Sequence, residues 1–198
     1  MRRRALIALA AVALTAVVVI GLSQAQEGSS PPAPKERRLD QAAVRAKLAG
    51  APPELARLHR QANGFLPGEG EGLRRELRRL RGRPVVVNIW AAWCGPCREE
   101  LPVFQDVSVD YGTRVAFLGV DLRDERAAAQ RLLRRFPVSY PSVEDPDGRL
   151  FQDLGLQGVP STLFYDARGG APAFVHQGPY YERADLEADL RRYALGSS

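Results

Sequence analysis

Residues that bind metals are scarce in this chain, which has two cysteines and two histidines among its 198 residues. A structural zinc site needs four cysteine, histidine or carboxylate ligands at suitable spacing. Cys94 and Cys97 form one C-x-x-C pair, and no second pair exists. His59 and His176 lie in unrelated segments, and we interpret both as surface residues without a chemical role. The sequence therefore predicts no metal site, and we expect no bound cofactor.

Lysine is also scarce, since Lys35 and Lys47 are its only positions, and the positive charge comes from arginine. The net charge of +5 at pH 7 includes three arginines at positions 2–4, which leaves only two net charges for the rest of the chain. A nucleic-acid-binding domain carries a strongly basic face. We therefore expect no nucleic-acid partner, and we interpret the excess of arginine over lysine as a coding bias.

The N-terminal segment joins these arginines to an uncharged apolar run, Ala5–Leu22. A positive segment before an apolar run is typical of a secretory signal, and about 18 apolar residues can also span a bilayer. We predict a signal peptide or signal anchor over residues 1–25, with a transmembrane helix at about residues 5–22, and export of the remainder. Cleavage after Ala25 would instead release a secreted protein. Residues 26–38, rich in serine, proline and charge, are predicted to be a flexible linker.

Beyond the linker, the periodicity of apolar residues predicts an α/β fold. Residues 39–66 are predicted to form a short helical preface, and residues 67–196 the main domain. A helix is expected around Leu73, Leu77 and Leu80. After it, strands are predicted at 84–90, 115–120, 161–166 and 172–177, and helices at 94–111, 123–136 and 181–196. The resulting order, β-α-β-α-β-β-α, is typical of a sheet with helices on both faces.

Both cysteines fall in the stretch NIWAAWCGPCREELP (Asn88–Pro102), where a predicted strand is followed by a helix. A metal site, a structural disulfide and redox chemistry compete as explanations. One C-x-x-C pair has too few ligands for zinc, and a disulfide across two residues closes too short a loop to stabilise a fold. Redox chemistry suits the position, because free N–H groups and the helix dipole favour the thiolate of Cys94. Cys97 would then resolve the mixed disulfide that Cys94 forms with a partner.

The motif WCGPC after the strand VVVNIW resembles the thioredoxin fold, and about residues 66–195 are similar to the TlpA/ResA family of exported thiol-disulfide oxidoreductases. The similarity includes Trp90 and Trp93 beside the cysteines, and the stretch REELP, which contains Glu100 and Pro102. This resemblance implies a thioredoxin-like three-layer fold, with a central mixed sheet flanked by helices. It also suggests that residues 140–166 lie in a segment that the family inserts.

Residues around the cysteines are expected to support the site. Gly95 would let a partner approach, and Pro96 fits the first helical turn, where its missing N–H is no loss. The family resemblance implies a cis peptide bond between Val159 and Pro160, packed against the cysteines. Asn88 stands where thioredoxins carry an aspartate that helps to move protons. Because asparagine does not titrate, another group or water must move protons here.

Glu100 is the candidate for that role. It follows Cys97 by three residues, so both lie on one face of the predicted helix. A partly buried carboxylate with a raised pKa could accept the proton of the resolving thiol. The alternative is a solvated helix glutamate, which is how we interpret Glu99.

These observations predict an exported thiol-disulfide oxidoreductase with a redox-active disulfide between Cys94 and Cys97. The Gly-Pro dipeptide resembles that of reducing thioredoxins and favours a protein disulfide reductase, and the family suggests cytochrome c maturation or thiol repair. We expect protein thiol and disulfide substrates, a transmembrane electron donor, and a monomer anchored in the cell membrane with its catalytic domain outside the cytoplasm. Two alternatives stay open: a disulfide-donating oxidase and a peroxiredoxin-like peroxidase. The peroxidase fits less well, because Ala91 replaces its usual threonine.

Overall fold

A run of buried residues forms the central strand of the protein, Val85–Trp90, in which all six residues are buried. Side chains alternate between the two faces of a strand. Val86 and Trp90 pack into one hydrophobic cluster, whereas Val87 and Ile89 pack into a second cluster on the other face. The structure, a computed structural model, describes residues 40–196, and both faces of this strand are covered in it.

The strands form one mixed sheet. They are β1 (Phe65–Leu66), β2 (Val85–Trp90), β3 (Ala116–Leu122), β4 (Ser142–Asp145), β5 (Ser161–Tyr165) and β6 (Phe174–Gln177). Their order across the sheet is β1-β4-β3-β2-β5-β6. The first four in this order run parallel, and β5 and β6 are each antiparallel to the strand before them. The carboxyl ends of β2, β3 and β4 therefore meet at one edge of the sheet.

Helices cover both faces of the sheet. They are α1 (Gln41–Leu48), α2 (Pro53–His59), α3 (Glu69–Arg79), α4 (Gly95–Tyr111), α5 (Arg126–Arg135), α6 (Arg149–Asp153) and α7 (Arg183–Asp189), and a π-helical turn (Leu190–Ala194) follows α7. Side chains of α4, α5 and α7 enter the first hydrophobic cluster. Those of α2, α3 and α6 enter the second cluster. The result is the three-layer thioredoxin-like fold expected from the sequence, which is confirmed.

The four predicted strands are present, and their ends shift by at most two residues. The sequence pattern did not predict β1 and β4. β4 has the sequence SVED, whose acidic residues do not suggest a buried strand. Asp145 is buried nevertheless, because its carboxylate accepts hydrogen bonds from the backbone N–H groups of Leu150 and Phe151 at the start of α6. Within residues 140–166, β4 is part of the sheet, since it pairs with both β1 and β3. That the family inserts this segment remains a prediction.

The predicted preface packs onto the sheet. Leu55 and Leu58 of α2 are fully buried in the second cluster, and Phe65 and Leu66 pair with β4. The proposed boundary between residues 66 and 67 remains a prediction. The predicted signal or anchor (1–25) and linker (26–38) lie outside the described residues. No helix within residues 40–196 combines the length and the apolar character needed to cross a membrane.

His59 is not the isolated surface residue that its position suggested. Its Nδ1 lies 3.2 Å from the carbonyl oxygen of Ser139, and its Nε2 lies 2.9 Å from that of Gly112. The imidazole is half-buried between α2, the end of α4 and the segment before β4. The interpretation as a surface residue was wrong, because both partners are backbone carbonyls distant in the sequence.

Candidate active site

The two cysteines lie at the junction of β2 and α4. Cys94 is the N-cap residue of α4 and forms a disulfide with Cys97 in the first turn of the helix. The Sγ atom of Cys94 accepts a hydrogen bond of 3.1 Å from the backbone N–H of Cys97. Such N–H groups at a helix start, together with the helix dipole, favour a thiolate at this position after reduction. The assignment of Cys94 as the attacking and Cys97 as the resolving cysteine remains a prediction.

The surroundings of the disulfide differ on its two sides. Cys94 is 5% exposed and Cys97 is fully buried, whereas the neighbouring Trp93 is 58% exposed. Pro96 is exposed and Gly95 is partly exposed. A partner can therefore approach the sulfur of Cys94 over this surface, while Cys97 faces the first hydrophobic cluster.

Glu100 is fully buried on α4, one helical turn after Cys97. Its Oε1 accepts a 2.7 Å hydrogen bond from Nδ2 of Asn88 on β2, and its Oε2 accepts a 3.2 Å bond from the backbone N–H of Tyr180. Burial raises the pKa of Glu100 to about 8, and the two hydrogen bonds oppose the shift without cancelling it. Glu100 is therefore a buried carboxyl group, and the interpretation as a solvated glutamate was wrong. Its role as a proton acceptor remains a prediction.

Asn88 is suited to both protonation states of Glu100. Its Nδ2 donates to the carboxylate, and its buried Oδ1 has no hydrogen-bond partner among the described residues. An unpaired buried polar atom is rare in proteins. Rotation of the amide by 180° would direct Oδ1 at Glu100, where it could accept a hydrogen bond from the protonated carboxyl group. The Asn88–Glu100 contact can therefore persist when Glu100 gains or loses its proton.

The segment before β5 reaches the same end of the sheet. The peptide bond between Val159 and Pro160 is cis, as the family resemblance implied. Val159 packs against the cluster that contains both cysteines, and Ser161, the first residue of β5, pairs with Ile89 near the end of β2. Val159 and Pro160 thus lie at the end of the sheet from which the cysteine turn leaves.

Two residues near the site were not identified from the sequence. Tyr180 contacts Glu100 through its backbone, so no side-chain pattern could have revealed it. The ring of His176 on β6 stacks on the ring of Tyr180, with 4.1 Å between the ring centroids. The interpretation of His176 as a surface residue away from the site was wrong, because β6 brings it next to the residue that holds Glu100. No cluster of three or more His, Cys, Asp or Glu side chains suited to a metal ion occurs within residues 40–196.

The protein has a mixed sheet, and a C-x-x-C disulfide lies at the start of the helix that follows its central strand. This arrangement is that of the thioredoxin-like proteins. The sequence model of the AhpC/TSA family matches residues 59–170, which is more than half of the chain. The chain belongs to the AhpC/TSA family.

Comparison with individual proteins shows which thiol-disulfide proteins the chain resembles. The chain is 42% identical over 91 residues to the thiol:disulfide interchange protein DsbE of Pseudomonas fluorescens biotype C, a match that covers 46% of this chain and 49% of DsbE. It is 30% identical over 130 residues to the thiol-disulfide oxidoreductase ResA of Halalkalibacterium halodurans, covering 65% of this chain and 73% of ResA. The match with DsbE thus spans about half the length of that relative. These similarities confirm the resemblance to ResA that the motifs indicated.

Solved structures agree with the fold. The structure of MTB dsbF in its mixed oxidized and reduced forms superposes with a TM-score of 0.53 at 28% sequence identity. The superposition covers 58% of this chain and 84% of dsbF.

Glu100 should make stability depend on pH. An unfolded glutamate titrates near 4.5 and the folded Glu100 near 8, so between these values the unfolded chain releases a proton that the folded protein keeps. Stability from this group is therefore lost as pH rises from about 4.5 to about 8, on the order of 5 kcal/mol in total. We expect Glu100→Gln to gain stability relative to the wild type over this range, measured by urea unfolding of the oxidised protein at pH 5 and pH 8.5.

The matched control is Glu99→Gln at the adjacent, partly exposed position, which should follow the wild type at both pH values. If the wild type and Glu100→Gln lose stability in parallel, Glu100 does not hold its proton in the folded protein.

Proposed function

We propose that this protein is an exported thiol-disulfide oxidoreductase that reduces protein disulfides through Cys94 and Cys97. The principal observation is a disulfide at a helix start, in which the Cys94 sulfur accepts a backbone N–H and Cys97 is buried one turn before a buried carboxyl group. The names of the relatives DsbE and ResA support this activity.

The reaction begins with the reduced protein. The thiolate of Cys94 attacks one sulfur of a partner disulfide, a mixed disulfide forms, and the partner's other sulfur leaves and takes up a proton. Cys97 then loses its proton and attacks the sulfur of Cys94, which releases the partner's second thiol. The partner has gained two electrons from the two cysteines and two protons from solvent, and the Cys94–Cys97 disulfide has formed.

Glu100 accepts the proton of Cys97 in this scheme. A proton moves readily between groups of similar pKa, and a free cysteine titrates near 8.5. With a pKa of about 8, roughly one Glu100 in ten is ionised at pH 7, and this ionised form accepts the proton of Cys97. When the disulfide is reduced again, Glu100 returns this proton to Cys97. Asn88 holds the carboxyl in both states through the two orientations of its amide.

Partner proteins bind over the exposed surface beside Cys94. Gly95 has no side chain to obstruct the approach, and the exposed Trp93 and Pro96 border the sulfur. The backbone of Val159, before Pro160, lies along the same turn and pairs with an extended segment of the partner, as in strand addition.

Electrons must be supplied from outside the described domain. We place this domain, residues 67–196, outside the cytoplasm behind the preface, the linker and a signal anchor over residues 1–25. A transmembrane protein then delivers the electrons, since the cytoplasmic reductants lie across the membrane. Cytochrome c maturation or thiol repair is the task that fits such a reductase.

Cys97→Ser should trap the partner. Without the resolving sulfur, the mixed disulfide through Cys94 cannot be released by the second step. We expect covalent complexes in cells that express this variant, detected on non-reducing gels and identified by mass spectrometry. The double variant Cys94→Ser, Cys97→Ser is the control and should form none. If Cys97→Ser captures no more protein than this control, the exchange mechanism is wrong.

The direction of exchange should be visible in the resting state of the cysteines. A reductase is kept ready by its donor, so we expect Cys94 and Cys97 to be mostly reduced in living cells, measured by rapid alkylation and mass shift. Mostly oxidised cysteines would indicate disulfide donation instead. Rapid turnover of hydrogen peroxide by the purified reduced protein would favour the peroxidase.

Glu100→Gln should slow the second chemical step. Glutamine cannot accept a proton, so Cys97 must lose its proton to water, and we expect mixed disulfides to resolve about 100-fold more slowly at pH 7. The measurement is stopped-flow release of a model disulfide substrate from Cys94, compared with Glu99→Gln. Equal resolution rates in both variants across the pH range would remove Glu100 from the mechanism.

A further inference from the structure

The turn between β2 and α4 is held by two charged side chains from outside it. The backbone N–H of Ala92 donates a hydrogen bond to Oδ2 of Asp124, and the carbonyl oxygen of Ala92 accepts a 3.2 Å bond from Nη1 of Arg98. Within the turn, the N–H of Cys94 donates to the carbonyl of Ala91 at 3.2 Å. Both peptide groups of Ala92 are therefore fixed two residues before Cys94.

Asp124 is in turn held by a second aspartate. Asp121 on β3 is only 2% exposed, and its carboxyl group lies within hydrogen-bonding reach of the carboxyl group of Asp124. In the sheet, Asp121 pairs with Trp90 of β2 on one side and with Glu144 of β4 on the other. The Oδ1 atom of Asp121 has no hydrogen-bond partner among the described residues. The two carboxyl groups thus meet at the sheet edge from which the cysteine turn leaves.

Two carboxyl groups can hydrogen-bond each other only if one of them keeps a proton. Burial, the hydrogen bond and charge of Asp124 and the charge of Glu144 together raise the pKa of Asp121 to about 9. Arg126 opposes the shift, but it also forms an ion pair with Glu144. At neutral pH, Asp121 is therefore the protonated partner and donates to Asp124, which leaves Asp124 free to accept the N–H of Ala92.

We propose that Asp124 is a positioning residue for the cysteine turn, and that Asp121 holds it in place by donating the one proton that the two carboxyl groups share. The proposal rests on the function proposed above, because it assigns the pair to the turn that presents Cys94 to a partner. The shared proton has two effects. It keeps Asp124 directed at Ala92, and it limits the pair to one negative charge near the thiolate of Cys94.

Loss of the shared proton releases the turn. Two adjacent carboxylates, one of them the buried Asp121, repel each other, so Asp124 moves away from Asp121 and weakens its bond to Ala92. The position of Cys94 then varies more. As pH rises, the rate of attack on a partner disulfide therefore increases less than the thiolate fraction of Cys94 does. The reactivity of the wild type at alkaline pH should therefore fall below the value that Cys94 ionisation alone would give.

Asp121→Asn provides a specific test. The asparagine Nδ2 donates to Asp124 at every pH, so it mimics protonated Asp121 and cannot be deprotonated. The full chain in detergent, oxidised and labelled with 15N, is titrated from pH 6 to pH 11 while the amide shift of Ala92 is followed. We expect the Ala92 shift to titrate in the wild type and in Asp147→Asn, an exposed control, and to stay constant in Asp121→Asn. A constant shift in the wild type, or the same titration in Asp121→Asn, overturns the proposal.

Asp124 is tested by two substitutions that differ in one property. Asp124→Asn keeps an acceptor for the Ala92 N–H, whereas Asp124→Ala removes it. We expect Asp124→Ala to attack a model disulfide about tenfold more slowly at pH 7 than Asp124→Asn, because a displaced nucleophile loses rate steeply. Equal rates in the two variants overturn the positioning role.

The two proposals fail in different ways. The Ala92 titration needs no substrate, so it reports on the carboxyl pair even if no partner protein is ever captured by Cys97→Ser. A protein that shows the titration but exchanges no disulfide would contradict the proposed function, and one that exchanges disulfides without the titration would contradict this inference.

Discussion

The hydrogen bond from Asn88 to Glu100 joins the central strand to the helix that contains both cysteines. Because both side chains are buried, the register of β2 against α4 also fixes where the carboxyl group lies relative to Cys97. This arrangement reduces stability at neutral pH, since a buried glutamate resists ionisation. In return, the carboxyl group has a pKa close to that of a thiol, which an exposed glutamate would not have. Under our proposal, the group that reduces stability is the one that moves a proton.

Two sets of carboxyl groups lie near the cysteine turn, and they differ in their hydrogen bonding. One set is Glu100, and the other is Asp121 with Asp124. Glu100 is a single group that receives two N–H donors and lies behind Cys97. Asp121 and Asp124 are a pair, and the pair accepts the N–H of Ala92 before Cys94. Under our proposals, the first group moves a proton and the second holds the backbone. The pair depends on the parallel strands β2 and β3, whose carboxyl ends bring Ala92 and Asp124 to one edge of the sheet.

The parts of the site that could be predicted from the residues themselves are local in sequence, whereas the cis bond between Val159 and Pro160 was implied only by the family resemblance. Cys94, Cys97 and Glu100 lie within one helix start, and the run before them is a buried strand by composition alone. The contacts that were not predicted join distant segments. Asp124 is 32 residues from Ala92, and Tyr180 is 80 residues from Glu100 and acts through its backbone. β4 was missed for a related reason: Asp145 is tolerated in a buried strand because it caps α6, a contact that hydrophobic periodicity does not encode.

The exposure of Trp93 beside a buried disulfide has a practical consequence. The chain has two tryptophans, and both belong to the stretch that leads into the cysteines. Trp90 is fully buried, with Nε1 donating to Oγ of Ser142 at 3.2 Å, whereas Trp93 faces solvent. Tryptophan fluorescence from this protein therefore comes from one short segment, in which one indole is buried and the other is exposed to solvent. Intrinsic fluorescence can consequently report events at the cysteine turn without any attached dye.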